Sequence, residues 1–324
     1  MSERIIYHHW DGERLWASRG RHILTAGRTG EILGTWGRID PFQAGFGAAW
    51  RRLSRRRIHL VLHLGGDRVL VVLRRLLVIM DSGKRLYEHR PALGSQPLRK
   101  GICRLGDGRV LYGEYGPNPE RDPVKVMISE DRGATWRVLW RSAPGRVRHI
   151  HMVQPAHDLP GHVYVATGDY GEEPLLMLLN AGNGEQREIG GGGQEWRMLA
   201  LVQDGERLIW GSDNDRGENH IYEWRAGDPN PRPLHPLPGP AYDACRDSRG
   251  RLAVATAVED RRKHRACILI ARKGMDWETW RCFRKDPLPG RLFGYGVADF
   301  PQGQEELPQF MINRRGLLQG RRMG

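Results

Sequence analysis

The sequence predicts an all-β chain, a β-propeller with six blades favoured and seven the alternative. Three observations carry that prediction. Short runs of Val, Ile, Leu, Tyr and Trp recur with turn residues between them, while helix-period patterns are scarce. Glycine is abundant, at 42 of 324 residues. Weak self-similarity recurs at roughly 40 to 50 residues, the period of a four-stranded blade. No Pro/Ser-rich linker or low-complexity stretch divides the chain, so residues 1–324 read as one domain.

Taken in order, residues 57–95 give strands at 59–63, 69–72, 76–80 and 86–88, and residues 98–143 give 102–105, 110–114, 124–128 and 136–140. Residues 147–190 hold 149–153, 163–167 and 175–179, and residues 195–238 hold 198–202, 208–211 and 221–224. Residues 240–287 make a fifth unit. The stretch from Leu292 onward has too few strands for a blade, so residues 1–45 are expected to contribute to the closing blade. Pairing the two ends of the chain closes the ring and protects sheet edges.

The most specific local pattern is Ser129-Glu130-Asp131-Arg132-Gly133-Ala134-Thr135-Trp136. Ser129 and Asp131 have short polar side chains that bond to nearby backbone, and Gly133 is free to take a positive φ. An apolar run, Val124 to Ile128, leads in, and Val138-Leu139-Trp140 leads out, which makes a strand–turn–strand. On these residues the chain resembles the Asp-box (BNR-repeat) β-propeller family, sialidase-like and glycosyl hydrolase-like. The resemblance implies that the box lies on an outer hairpin, away from the ligand cleft. Lys273 to Trp280 keeps only the terminal Thr279-Trp280 of the pattern, and Met80 to Tyr87 is a looser third copy.

The formal charge is +13, almost all of it from Arg. The runs Arg51 to Arg57 and Arg261 to Arg265 read as solvated loops, and no zinc-finger, RNP or helix-turn-helix pattern accompanies them. That disfavours nucleic acid and leaves an acidic oligo- or polysaccharide as the partner, since guanidinium forks match carboxylates. Met1 to Trp10 carries Arg4, His8 and His9 where a secretory segment needs an apolar run, so a cytoplasmic protein is expected. Val69 to Met80 is broken by Arg74-Arg75 and is too short for membrane insertion. The four cysteines have no metal-like spacing and are too few for a disulfide scaffold.

Chemistry in a propeller belongs at the channel mouth. His149 and His151 alternate along a strand, which puts both on one face as a proton relay or, less favoured, as ligands for a divalent metal; no other cofactor is expected. Gln154 and His157 follow, then Asp169-Tyr170. Glu114 beside Tyr115 resembles the sialidase arrangement in which a glutamate activates a tyrosine nucleophile. The Arg-Ile-Pro segment of sialidases has only Arg90-Pro91 here, without the intervening residue. His149, His151, Glu114 and Asp169 are the catalytic candidates. Tyr115, Arg121, Gln194, Trp196, Arg197, Asp213, Asp243 and Lys285 are the substrate-binding candidates, with Trp196 stacking on a sugar, Arg197 holding an anion, and Glu259 a further acid or base. Two functions follow: a glycoside hydrolase-like or lyase-like enzyme on an acidic glycan or exopolysaccharide, or a noncatalytic glycan- or protein-binding propeller accessory to polysaccharide production.

Overall fold

The computed structural model describes residues 4–39, 58–259, 264–271, 276–288 and 294–318. The chain is a six-bladed propeller of antiparallel sheets. Strands β1 (Ile6–Trp10), β2 (Leu15–Arg19), β3 (His22–Ala26) and β4 (Ile32–Arg38) form the first blade. The second is β5 (Leu60–Gly65), β6 (Arg68–Leu73), β7 (Leu76–Asp81) and β8 (Lys84–His89), and the third is β9 (Ile102–Arg104), β10 (Val110–Gly113), β11 (Lys125–Ser129) and β12 (Arg137–Arg141). The fourth is β13 (Ile150–Pro155), β14 (His162–Thr167), β15 (Leu175–Asn180) and β16 (Gln186–Gly191), and the fifth is β17 (Leu201–Asp204), β18 (Arg207–Gly211), β19 (Asn219–Arg225) and β20 (Arg232–Leu237). The sixth is β21 (Ala241–Arg246), β22 (Leu252–Val258), β23 (Arg265–Ala271) and β24 (Trp277–Arg284), with β25 (Gly296–Asp299) and β26 (Asn313–Arg315) added beyond the end of β22.

The second and third strands of each blade are sandwiched between neighbouring sheets, which is why they read as unbroken apolar runs rather than alternating ones. Leu62, Leu70 and Ile79 of blade two pack on Ile102, Val110 and Tyr112 of blade three. Met152, Tyr164 and Leu176 of blade four pack on Trp196, Leu208 and Trp210 beside blade five. Outer strands face solvent and lose the pattern. β16 (QREIGG) and β20 (RPLHPL) therefore escaped the sequence reading, and the two prolines of β20 are tolerated on an edge.

The N-terminal strands build a whole blade of their own rather than sharing a mixed one with the last residues. The two ends of the chain do pair: His9 forms a parallel bridge with Gln302, the Trp10 N–H donates to the Gln302 carbonyl, and the Gln302 N–H donates to the His8 carbonyl. The Gln302 side chain also donates to the carbonyls of Arg99 and Ile102 at the head of blade three. The segment from Asp299 to Gln302 thus lies at the propeller axis. Buried ion pairs flank it, Arg99 Nε to Asp299 at 3.3 Å and Lys100 Nζ to Asp243 at 3.4 Å.

The octapeptide occupies the β11–β12 turn, the outer hairpin of blade three. Asp131 accepts hydrogen bonds from the Thr135 N–H (2.9 Å), the Thr135 hydroxyl (2.6 Å) and the Ser129 hydroxyl (2.8 Å), and the Gly133 N–H donates to Ser129 Oγ. Gly133 has φ +86°, and a Cβ there would lie 2.3 Å from Ile79 of blade two. Trp136 packs on Tyr112 and His89. Met80 to Tyr87 lies at the equivalent β7–β8 turn, with Ser82 and Gly83 at positive φ. The hairpin of Lys273 to Trp280 also falls between third and fourth strands, its turn outside the described residues, as are the runs 51–57 and 261–263.

Cys267 and Cys282 face each other across β23 and β24 and form a disulfide, one covalent tie the sequence reading did not expect. Cys103 and Cys245 are buried and free. Among the described residues no helix is long and apolar enough to cross a membrane.

Candidate functional site at one mouth of the channel

In a four-stranded antiparallel meander the start of the first strand, the end of the second and the start of the third lie at the same end of the sheet. The loops there gather at one mouth of the propeller. Tyr115 follows β10, His149 precedes β13, Asp169 and Tyr170 follow β14, Arg197 precedes β17, Asp213 and Asp215 follow β18, Tyr242 lies on β21 and Glu259 follows β22.

His149 and His151 meet as expected. Their Nε2 atoms are 3.0 Å apart, and Asp169 Oδ1 lies 3.4 Å from the first and 3.2 Å from the second. The β13–β14 register shifts between Ile150 and Met152, a bulge that re-aims His151 toward His149. His149 Nδ1 is 3.0 Å from the Gly116 carbonyl. A carbonyl only accepts, so Nδ1 carries the proton and, in the neutral ring, Nε2 is a lone pair. Burial pushes the His151 pKa down to about 4, although the Asp169 carboxylate pulls the other way. Burial alone would raise the Asp169 carboxyl, but the His149 and His151 rings beside it hold it below the usual range. The Asp169 turn depends on Gly168, at φ +88°, where a Cβ would collide with the Glu173 backbone at 2.1 Å.

Arg197 is surrounded by carboxylates. Its guanidinium lies 3.4 Å from both Asp169 and Asp213 and 2.7 Å from Asp215. Burial lifts the Asp213 carboxyl well above its ordinary value against the pull of Arg197, helped by Glu259 and Asp169. Asp215 resists the same desolvation because Arg197 and Tyr170 donate to it, and its pKa falls. Arg197 and Arg216 both stack over the Tyr170 ring, at 5.3 and 4.0 Å.

On the sixth-blade side, the Tyr242 hydroxyl donates to Glu259. Burial raises the Glu259 pKa, which the Tyr242 hydrogen bond only partly offsets, and desolvation with Asp213 and Glu259 nearby raises that of Tyr242. Tyr115 lies against His149 at 4.4 Å, and burial pushes its phenol up to about 12.

Other candidates lie elsewhere. Glu114 is turned from Tyr115 and accepts the Lys125 N–H, so the expected Glu–Tyr pair is not formed there; the structure forms one from Tyr242 and Glu259 instead. Adjacent residues in extended chain point to opposite faces, which separates Glu114 from Tyr115. Trp196 is 2% exposed and stacked on Trp210, so it is core and not a sugar platform. Asp243 faces the axis and Lys100. Lys285 bonds to Asp286 and the Leu288 carbonyl as a turn pair. Gln154 ties blade four to Leu201 of blade five. Arg121 pairs with Glu173 at the rim, and Gln194 donates to the Asp169 carbonyl, which supports the turn carrying that residue. Asp215 was not singled out in the sequence; its loop polarity is ordinary, and only the fold brings it to Arg197.

No family model matches the chain, and no curated protein sequence matches it either. Solved structures do match in shape. A chain of the mitotic checkpoint complex is 13% identical, with a TM-score of 0.51 over 78% of this chain and 70% of that one. The Pan2 WD40 domain of Neurospora crassa is 12% identical, with a TM-score of 0.50 over 92% of this chain and 82% of that one. The tricorn protease is 10% identical, with a TM-score of 0.52 over 97% of this chain but 36% of its own. At these identities the likeness is one of fold, and the chain is similar to these proteins as a β-propeller.

Proposed function

We propose that the protein is a carbohydrate-active enzyme, glycoside hydrolase-like, with lyase chemistry the second choice, acting on an acidic glycan at this mouth. The Tyr242–Glu259 hydrogen bond beside Asp213 carries the reading. Glu259 is partly exposed and burial raises its carboxyl pKa, which makes it the stronger base, whereas Asp169 is held ionised. Titratable groups pushed in opposite directions within one cleft are what acid–base catalysis requires. In this reading Glu259 takes the phenol proton while Tyr242 Oη attacks the anomeric carbon, the glycosidic C–O bond breaks and the departing oxygen takes up a proton from water; a second water then hydrolyses the glycosyl–tyrosine and returns the proton to Tyr242. The exposed guanidinium of Arg216, stacked on Tyr170, and that of Arg148 offer forks for the carboxylate of a sugar.

The test is product release from uronic-acid, sialylated and neutral polysaccharides by wild type, Glu259→Gln and Tyr242→Phe. Turnover on an acidic polymer that falls ~100-fold or more in both variants is expected. A noncatalytic propeller is the second reading, favoured by the burial of His149, His151, Asp169 and Asp213, none more than 6% exposed. Wild type that binds a glycan and cuts none would establish it.

A further inference from the structure

We infer that His149, His151 and Asp169 form a binding site for one divalent transition-metal ion. Three ligand atoms converge: His149 Nε2, His151 Nε2 and Asp169 Oδ1, separated by 3.0, 3.4 and 3.2 Å. The edge of a tetrahedron with metal–ligand arms of ~2.0–2.1 Å is about 3.3–3.4 Å. The side chains therefore stand within a few tenths of an ångström of the spacing an ion imposes, before any ion is added.

The proton inventory asks for a cation. His149 Nδ1 is committed to the Gly116 carbonyl, which leaves its Nε2 as a lone pair directed at a carboxylate oxygen, itself only an acceptor. A single His151 N–H serves at most one of these contacts well.

The surroundings are those of a ligand set held in place. The Gly116 carbonyl orients His149, Arg148 holds Asp169 Oδ2 at 2.9 Å and leaves Oδ1 directed at the histidines, and Gln194 fixes the backbone at Asp169. Arg197 is the competing cation near Oδ1, and Asp213 and Asp215 hold it back. Two imidazoles and one carboxylate suit zinc or iron(II), and three protein ligands leave a position for water or a substrate oxygen. The inference rests on this geometry and stands apart from the glycan reading.

The experiment is calorimetric titration of the full, chelator-treated chain with Zn²⁺, repeated with Co²⁺ to read its visible spectrum. One ion per chain is expected, with a rise in Tm on loading. Affinity should fall at least ~100-fold in His149→Ala and in Asp169→Asn, whose near-identical shape serves if the alanine variant does not fold. Exposed His157→Ala should bind as wild type does. Wild type that takes up no ion, or a His149→Ala/His151→Ala variant that keeps wild-type affinity, overturns the site whether or not any glycan is cut.

Discussion

Lys100 and Asp243 come from opposite sides of the ring and meet at its axis, Nζ to Oδ1 at 3.4 Å. Lys100 leads into the inner strand of blade three and Asp243 sits on the inner strand of blade six. Together with Arg99 and Asp299 they place two buried ion pairs side by side at the axis.

Removing one partner of such a pair leaves an uncompensated buried charge, which costs ~3–5 kcal/mol. Lys100→Met should lower the unfolding free energy by about that much in urea titration. A loss under ~1 kcal/mol would mean that the pair is solvated and the axis open.

His8 supplies a pH dependence with a defined sign. Its Nδ1 accepts from Arg99 at 3.1 Å and its Nε2 lies 2.8 Å from Ser18 Oγ, so the ring is held neutral. Burial, then the Arg99 charge, depresses its pKa well below 6.5. The unfolded chain binds a proton there below pH 6.5 and the folded chain does not, so this stability is full above 6.5 and is lost as pH falls toward the folded value. The slope is about 1.4 kcal/mol per pH unit. Urea midpoints at pH 7.5 and 5.5 should differ less in His8→Gln than in wild type, by about that amount over the final unit. Equal differences would show that His8 takes up its proton while folded.

The outer hairpin of blade three should matter for stability and not for the mouth. Gly133→Ala meets both a positive φ and Ile79, and should cost ~2–3 kcal/mol in thermal or urea unfolding. Ligand or metal binding by the folded variant should be unchanged; a shift in either would tie the hairpin to the site.

Arg197→Ala leaves Asp169, Asp213 and Asp215 facing one another without their cation. About 3 kcal/mol of stability should go at pH 8, and part of it should return at pH 5 as Asp213 takes up a proton. A variant equally destabilised at both values would place the cost in packing rather than charge.

The features legible in the sequence are those whose chemistry is local. Ser129, Asp131 and Gly133 build their turn from neighbours within a few positions, so eight letters located a hairpin. His149 and His151 are two residues apart, and their rings meet within that short span. Tyr242 stands at the start of one strand and Glu259 just past the end of its antiparallel neighbour, and nothing in either segment announces the other. Arg197 looked free to bind an anion because the three acids that claim it lie in two other loops. Trp196 carried the residue type of a sugar platform and the burial of a core residue, and type alone does not separate them.

The tie between the two ends of the chain also bears on time. Tyr7 bonds to Asn313 across 306 residues of sequence. A ribosome adding ~5–20 residues per second takes on the order of tens of seconds to cover that distance. For that interval the first blade waits with its inner strand uncovered, and the contacts that complete it come last. Folding of this ring should therefore be slow, as non-local pairing dictates, and a binder of the bare β1 edge should catch the nascent chain and miss the finished protein.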